Sequence, residues 1–440
     1  MTQHGPTGPA RPTSRRAFLG RASVLGATAL AGGLSLERAV HAAGAGVIRV
    51  GLIGCGGRGS GAAVNALGAG DDVRLVALAD LFEDRLHDAR ARLKQLKPAQ
   101  VDVDDDHAFV GFDAYRKLVQ SDVDVVLIAA ASHFHPAMLA ATVAAGKHVF
   151  CEKPHAIDTP GLKQAMTAAE EAQRKGLSLV SGLCWRYDPG VREAMCRVRD
   201  GAIGEITAIQ ATYITSPYVL RERRDDWNEM QYQMQNWYHF NWLSGDQTAQ
   251  QLIHSVDKAS WALGDVPPES AWGLGGRQVC VEPKYGDQFD HHAVVYEYAS
   301  GVRVFAYCRD IPGCYNETSE VIFGTKGRAI LPSRPRIEGE QPWRYEGPKQ
   351  SMYDVEHQEL FAAIRAGKPL SNRDYMFTST MLAILAQMAC YTGARVTWEQ
   401  AMASQRCFAL EQYDWDVEPP VRPGPDGRYP TAMPGITPLV

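Results

Sequence analysis

Lys153 stands in the run Gly146-Lys147-His148-Val149-Phe150-Cys151-Glu152-Lys153-Pro154-His155, where the pattern of the chain changes. In a dry pocket beside a cationic ligand, an ammonium is disfavoured by desolvation and by like charge. Its pKa then falls towards that of a useful general base. Pro154 fits a sharp turn and opens the preceding bond to the cis form. The competing reading is an exposed turn lysine. A second titratable candidate, His254, lies in the stretch from Gln250 to Leu263, with Gly264 placed as a stop. If that stretch is helical, Gln250, His254 and Asp257 share one face at i, i+4 and i+7. A histidine flanked by polar groups on one face suits general acid–base work, although a lone helix histidine is more often structural.

The elements before Lys153 say what it would face. Residues 47–54 form a short apolar, β-branched run, read as a buried strand. It feeds Gly54-Cys55-Gly56-Gly57-Arg58-Gly59, followed by a small-residue helix from Ser60. Glycines at that spacing let the backbone turn tightly and approach a pyrophosphate at the helix N-terminus. A second strand, Val73 to Ala79, ends in Asp80, where a ribose-binding acid belongs. Strand, loop, helix, strand and acid together predict a dinucleotide site. Asp80 accepts ribose hydroxyls and repels a 2′-phosphate, which favours NAD over NADP; nearby Arg85 keeps NADP open.

A third strand, Asp124 to Ala130, leads into Ser132-His133-Phe134-His135-Pro136. The His-x-His pair invites a zinc reading, but no further ligand lies at suitable spacing; a turn over the cofactor is favoured. A helix from Pro136 to Ala145 precedes the fourth strand, Lys147 to Phe150. A helix (Gly161 to Lys175) and a strand (Ser178 to Cys184) complete a doubly wound parallel sheet.

The phosphate loop, Ala-Ala-Ser-His-Phe-His, Gly-Lys-His-Val-Phe-Cys-Glu-Lys-Pro and Cys184-Trp185-Arg186-Tyr187 resemble the Gfo/Idh/MocA oxidoreductases. The resemblance continues through Gly204-Glu205-Ile206, His254-Ser255-Val256-Asp257, Ile322 to Gly327 and Glu356 to Phe361, and so covers nearly the whole mature chain. It implies a Rossmann domain followed by an α+β domain with a large, mainly antiparallel open sheet, one face on helices and the other commonly used for oligomer contacts. It implies that Lys153 and His254 handle a hydroxyl proton. Cofactor contacts are expected from Gly54, Cys55, Gly56, Gly57, Arg58, Gly59, Asp80, Ser132, His135, Glu152 and Lys153. Substrate contacts are expected from Arg186, Tyr187, Trp237, Gln250 and Asp257. The family usually has aspartate where this chain has Gln250, which can orient a substrate or His254 but cannot move a proton.

At 440 residues the chain has length for two full cores, and 45% hydrophobic and 22% charged residues are those of a globular protein. A net charge of −5 gives no reason to expect nucleic acid or an anionic membrane as partner. Ser14-Arg15-Arg16-Ala17-Phe18-Leu19 precedes a small-residue apolar segment to about Leu34, and Val40-His41-Ala42 offers a cleavage site. This pattern predicts a twin-arginine signal peptide over residues 1–42 and export to the periplasm. After residue 50 no run is long and apolar enough to span a bilayer. Nine cysteines, odd in number and without a Cys-x-x-Cys pair, predict no disulfide framework; Cys308 and Cys314 are the one pairing left open.

The organisation expected is a Rossmann domain over 43–184, an α+β substrate and oligomerisation domain over 185–416, and a Pro-rich tail over 417–440. Strands are expected at Ile206 to Ile214, Ala293 to Tyr298, Val302 to Cys308 and Ser319 to Phe323, with a hairpin turn at Ala299-Ser300-Gly301. Residues 332–349 read as a surface loop, and Tyr353 to Gly367 and Tyr375 to Gly393 as amphipathic helices. The tail reads as a flexible end or an arm on a neighbouring subunit. Aromatics between Trp227 and Trp242 suit the C–H faces of a sugar, or a core or subunit contact. The function expected is an exported NAD-dependent oxidoreductase acting on a sugar, polyol or glycoside, as a homo-oligomer. The alternative is an NAD-dependent glycosidase working by transient oxidation, elimination and re-reduction; the best-known members of that branch lack the Glu-Lys-Pro lysine.

Overall fold

The computed structural model describes residues 46–439; the expected signal peptide lies outside the described residues. Six short apolar strands form the first sheet: β1 (Ile48–Ile53), β2 (Val73–Asp80), β3 (Ala108–Val110), β4 (Val125–Ile128), β5 (His148–Cys151) and β6 (Leu179–Ser181). Their order is 3-2-1-4-5-6, all parallel, with the reversal between β1 and β4. Parallel strands covered on both faces must be apolar throughout, which is why these read as continuous hydrophobic runs. That reversal opens a crevice at the carboxyl ends of the strands, where doubly wound sheets bind ligands.

The second sheet has nine strands, mainly antiparallel, in the order 14-13-12-11-7-10-9-8-15. Its centre is β7 (Ile206–Ile214), β8 (Ser270–Gly276), β9 (His291–Glu297), β10 (Arg303–Arg309) and β11 (Glu317–Gly324); β7 and β10 pair in parallel. Gly301 turns the β9–β10 hairpin with φ +83°. After β12 (Gly327–Leu331), the stretch from Pro332 to Lys349 is not only loop: β13 (Arg336–Gly339) and β14 (Trp343–Arg344) extend the edge, and β15 (Val396–Thr397) closes the other. Arg328 and Arg336 both pair with Glu338, so this edge is built from charged side chains.

Helix α1 (Gly57–Leu67) follows the phosphate loop, α2 (His135–Ala144) follows the His-x-His turn and α3 (Thr159–Arg174) follows Glu-Lys-Pro. In the second half, α4 (Ile253–Ala262), α5 (Met352–Arg365) and α6 (Arg373–Thr392) cover the sheet. α6 is not amphipathic as its sequence predicts; it is buried almost all round. Its polar side chains are satisfied inside: Thr380 Oγ1 donates to the Met376 carbonyl at 2.7 Å, and Ser379 Oγ donates to Asp257 at 2.7 Å. One hydrophobic core runs from Ile53 to Ala401 and joins both sheets.

One expectation about the chain's periphery needs correction. Residues 404–439 contain no helix or strand, yet they do not hang free. They lie along their own chain, with Tyr429 fully buried among Met230, Tyr232, Phe240 and Trp242. All nine cysteines are free thiols; Cys308 is buried beside His292, while Cys314 is exposed. Among the described residues no helix is long and apolar enough to cross a membrane.

Candidate functional site

Two adjoining hollows open at the crevice. The first, which spans about 870 Å³ including space open to solvent, is lined by Gly54, Gly56, Gly57, Arg58 and Gly59, by Asp80 to Phe82, Arg85, Phe112 and Tyr115, and by Ala129 to Ala131. β1 delivers the loop here, and three of its glycines have separate reasons. Gly54 adopts φ +93°, and a Cβ there would strike the Ala129 backbone. On Gly59 a Cβ would collide with the Gly54 carbonyl oxygen. At Gly56 nothing lies within 4 Å of the place a Cβ would take, which leaves the cradle open. These features fit a pyrophosphate at the N-terminus of α1. Cys55, expected among the cofactor contacts, instead turns inward: its thiol donates to the Ala79 carbonyl, and burial pushes its pKa well up.

Asp80 ends β2 at the wall of this hollow. Its Oδ2 accepts from the Cys55 N–H at 2.6 Å and its Oδ1 from the Phe82 N–H at 2.8 Å. Burial raises its pKa, against these two backbone hydrogen bonds. Each oxygen keeps a lone pair for a ribose hydroxyl. Arg85 lies over the Phe82 ring, 4.5 Å from its centroid, and donates to Gln235 at 2.5 Å. Asp80→Ala is therefore expected to weaken NAD and to relax discrimination against NADP. Two hydrogen bonds to a charged acceptor are at stake, about 1.5–3 kcal/mol each. Because the substitution also frees two loop N–H groups, the NAD-to-NADP affinity ratio, measured by calorimetry, is the deciding readout. An unchanged ratio assigns the ribose to another residue.

The second hollow spans about 640 Å³ including space open to solvent and shares Arg58, Ala129, Ala130, Trp237 and Tyr238 with the first. It is lined by Ser132, His135, Glu152, Lys153, Gln250 and His254, predicted residues that the structure brings together, and by Tyr353, which was not among them. A cis Lys153–Pro154 bond follows β5. Lys153 Nζ donates to the Gln250 backbone carbonyl at 2.7 Å. Burial lowers its pKa, against the nearby charge of Glu152. His254 is pushed well below its ordinary value by burial and then by Lys153, Lys258 and Arg58, so it is neutral at pH 7. Its Nδ1 is buried without a hydrogen-bond partner, and its ring stacks on Tyr213 at 6.1 Å.

Gln250 does not sit in an α-helix as expected. Thr248–Leu252 is one π-helical turn, in which the Ile253 N–H reaches back five residues to the Thr248 carbonyl. Such wide turns recur at functional sites. Gln250 Nε2 donates to Ser132 Oγ at 2.9 Å and to the Ser244 carbonyl, which ties the second half to the turn after β4. His135 lies between the Pro154 and Ala130 carbonyls, at 2.6 and 3.0 Å, and His133 Nε2 meets the Tyr413 hydroxyl at 2.6 Å. Both rings thus have partners within the protein.

Three expected substrate contacts are elsewhere. Arg186 Nη2 pairs with Asp257 at 2.8 Å and with Asp265 at 2.6 Å, and its guanidinium lies over Tyr375 at 4.1 Å. Tyr187 is buried, its hydroxyl donating to Asn372 at 2.8 Å. Arg186, Tyr187 and Asp257 form a structural joint behind the site. Of the aromatic segment, Tyr232, Phe240 and Trp242 are core. Trp237 and Tyr238 reach the hollows, stacked 3.8 Å apart, with Tyr218 stacked 4.0 Å beyond.

Sequence reasoning missed how Arg58 is held. Its guanidinium pairs with Glu152 and, at 3.3 Å, with Glu356, and lies 4.7 Å from the Tyr353 ring centroid. Glu356 is buried, its pKa raised well above the ordinary value by burial and then by Glu152. The Tyr353 and Glu356 spacing of three along a helix is the only local signal for this brace.

Comparison with known proteins settles the family. The profile described as "Oxidoreductase family, NAD-binding Rossmann fold" matches residues 48–181, and that described as "GFO/IDH/MocA C-terminal domain" matches residues 191–330. The chain belongs to the Gfo/Idh/MocA family of NAD-binding oxidoreductases. It is 27% identical to the myo-inositol 2-dehydrogenase of Thermotoga maritima over 282 residues, 64% of this chain and 74% of that one. It is 31% identical to a glycosyl hydrolase family 109 protein of Solibacter usitatus over 212 residues, 46% of each chain. Among solved structures, levoglucosan dehydrogenase in complex with NADH and levoglucosan superposes with a TM-score of 0.64 at 17% identity, over 80% of this chain and 99% of the other. The aldose-aldose oxidoreductase of Caulobacter crescentus, complexed with glycerol, gives 0.64 at 18% identity over the same shares. At those identities the structural likeness speaks for the fold.

Proposed function

We propose that this Gfo/Idh/MocA protein is an exported oxidoreductase that oxidises a hydroxyl of a sugar, polyol or glycoside and keeps its NAD through the catalytic cycle. The observation that carries the chemistry is Lys153, in one hollow with His254 and next to the phosphate loop. When bound, NAD supplies the hydride acceptor. Lys153 takes the proton of the substrate hydroxyl, and the Gln250 carbonyl aims its Nζ. Neutral His254 presents its imidazole to the same hydroxyl as donor or acceptor. Trp237 offers an aromatic wall for the C–H face of a ring.

Export rests on the paired arginines and the small-residue segment after them. The twin-arginine route carries folded proteins, so the chain would load NAD before transport. Protein produced with its signal intact, purified and then denatured, is expected to release stoichiometric NAD; recovery far below that defeats the retention reading. Oligomer formation through the open sheet face belongs to the same proposal.

A second reading, the NAD-dependent glycosidase, has support from the glycosyl hydrolase family 109 relatives. A panel of sugars and glycosides separates the two. On the oxidoreductase reading, rapid mixing of holoenzyme with its donor gives reduced-cofactor absorbance that persists until an acceptor is added. Cleavage of a glycoside with no second substrate and no net redox change establishes the hydrolase.

A further inference from the structure

The dinucleotide hollow has a wall that the phosphate loop and Asp80 do not explain. Since Asp80 marks the adenosine ribose, the aromatic residues beyond it, Phe82 and Phe112, flank the adenosine end. Their outer faces are covered by residues from more than 300 positions later. The Trp415 ring centroid lies 4.9 Å from that of Phe112 and 5.5 Å from that of Phe82. Tyr413 stacks on Phe112 at 6.2 Å and meets Phe134 edge-on at 5.2 Å. Trp415 and Tyr413 do not themselves line the hollow; they back the residues that do.

The segment that carries them has no backbone ladder to hold it. Side chains do so instead. The Tyr413 hydroxyl accepts from the Leu410 N–H and meets His133 Nε2. Asn228 Nδ2 donates to the Trp415 carbonyl at 2.7 Å. On either side, Asp158 accepts from the Phe408 N–H at 2.8 Å, and Gln233 donates to the Val421 carbonyl at 2.8 Å. A segment tied by scattered side-chain contacts opens at lower free energy than a core strand or helix. It can therefore govern how often the adenosine wall loosens.

We propose that Trp415 and Tyr413 are positioning residues for the adenosine end of the cofactor: acting through Phe82 and Phe112, this C-terminal strap sets how slowly NAD leaves. The proposal rests on the retained-cofactor reading above and supplies a physical device for it. It predicts an asymmetry, because the Trp415 ring packs on Phe82 and Phe112, at the adenosine end. ADP-ribose should depend on the strap, whereas nicotinamide mononucleotide, which lacks the adenosine half, should not.

The test uses the full-length chain. In Trp415→Ala, release of NAD from the holoenzyme, followed by trapping of the freed cofactor, is expected to be about tenfold faster, the scale of losing two aromatic contacts. ADP-ribose should bind the cofactor-stripped variant about tenfold more weakly, with nicotinamide mononucleotide unchanged. Trp415→Phe should restore most of the difference. Should Trp415→Ala not fold, Tyr413→Phe, which keeps the ring and frees it from His133, is expected to shift the same ratio in the same sense. A parallel loss for both half-ligands, or no change in either, overturns the proposal. Rapid NAD release by the wild-type protein would defeat the retention reading alone. The ratio of the two half-ligands would still decide the strap.

Discussion

Replacing Lys153 with alanine is expected to lower turnover by about two to four orders of magnitude, the range of general acid–base assistance. Bound cofactor and thermal stability should stay close to wild type. The Lys153 ammonium is held by one hydrogen bond to a backbone carbonyl, and the residue is only half-buried. Burial lowers its pKa, so the neutral amine is reached below the ordinary lysine value of 10.5. The sign follows: oxidation should speed up as pH rises, through an inflection below 10.5, because the base gains activity as its proton leaves. In Lys153→Ala that rise should vanish along with the rate. Near-normal turnover, or an unchanged pH profile, would return Lys153 to the status of a turn residue. His254→Ala should lower the rate similarly if both act on one proton path, and the double variant should then lose less than the product of the two.

Arg186→Met is expected to act on stability rather than on substrate. The guanidinium is buried with two carboxylates, and its removal leaves Asp257, itself 1% exposed, with only the Ser379 hydroxyl. Removing one partner of a buried pair costs about 3–5 kcal/mol. Denaturant unfolding should show the loss directly. KM measured on the folded fraction should be unchanged, since neither group lines the hollow. A large rise in KM with normal stability would restore the substrate-contact role that the sequence predicts for Arg186 and Asp257.

How far the sequence could be read depended on how local each cause was. The six parallel strands and the phosphate loop are legible because burial on both faces demands apolar runs, and pyrophosphate approach demands glycine at fixed spacing. Lys153 and His254 were reachable for the same reason, each standing next to a recognisable local pattern. The Arg186 joint was not, because its carboxylates lie 71 and 79 residues away. Arg58 meets Glu356 across 298 residues. The strands β13 and β14 were hidden by their own charges, which suit an edge and imitate a loop. Helix α6 misled in the opposite way: its Ser, Thr and Gln side chains resemble a wet face but bond inside the protein. The tail misled because prolines exclude regular structure without excluding a fixed path.

The wide turn at Thr248–Leu252 has a consequence for the phase of the whole helical segment. A regular α-helix advances about 100° per residue, so one additional residue in a turn offsets everything after it by roughly that angle. Within the wide turn, Gln250 faces Ser132; behind it, Lys258 meets Glu320 at 3.0 Å and Asp257 meets Arg186. His254 lies just after the offset, with its angular position fixed from both ends. Its aim is therefore a property of residue count, so this segment should tolerate no single insertion or deletion.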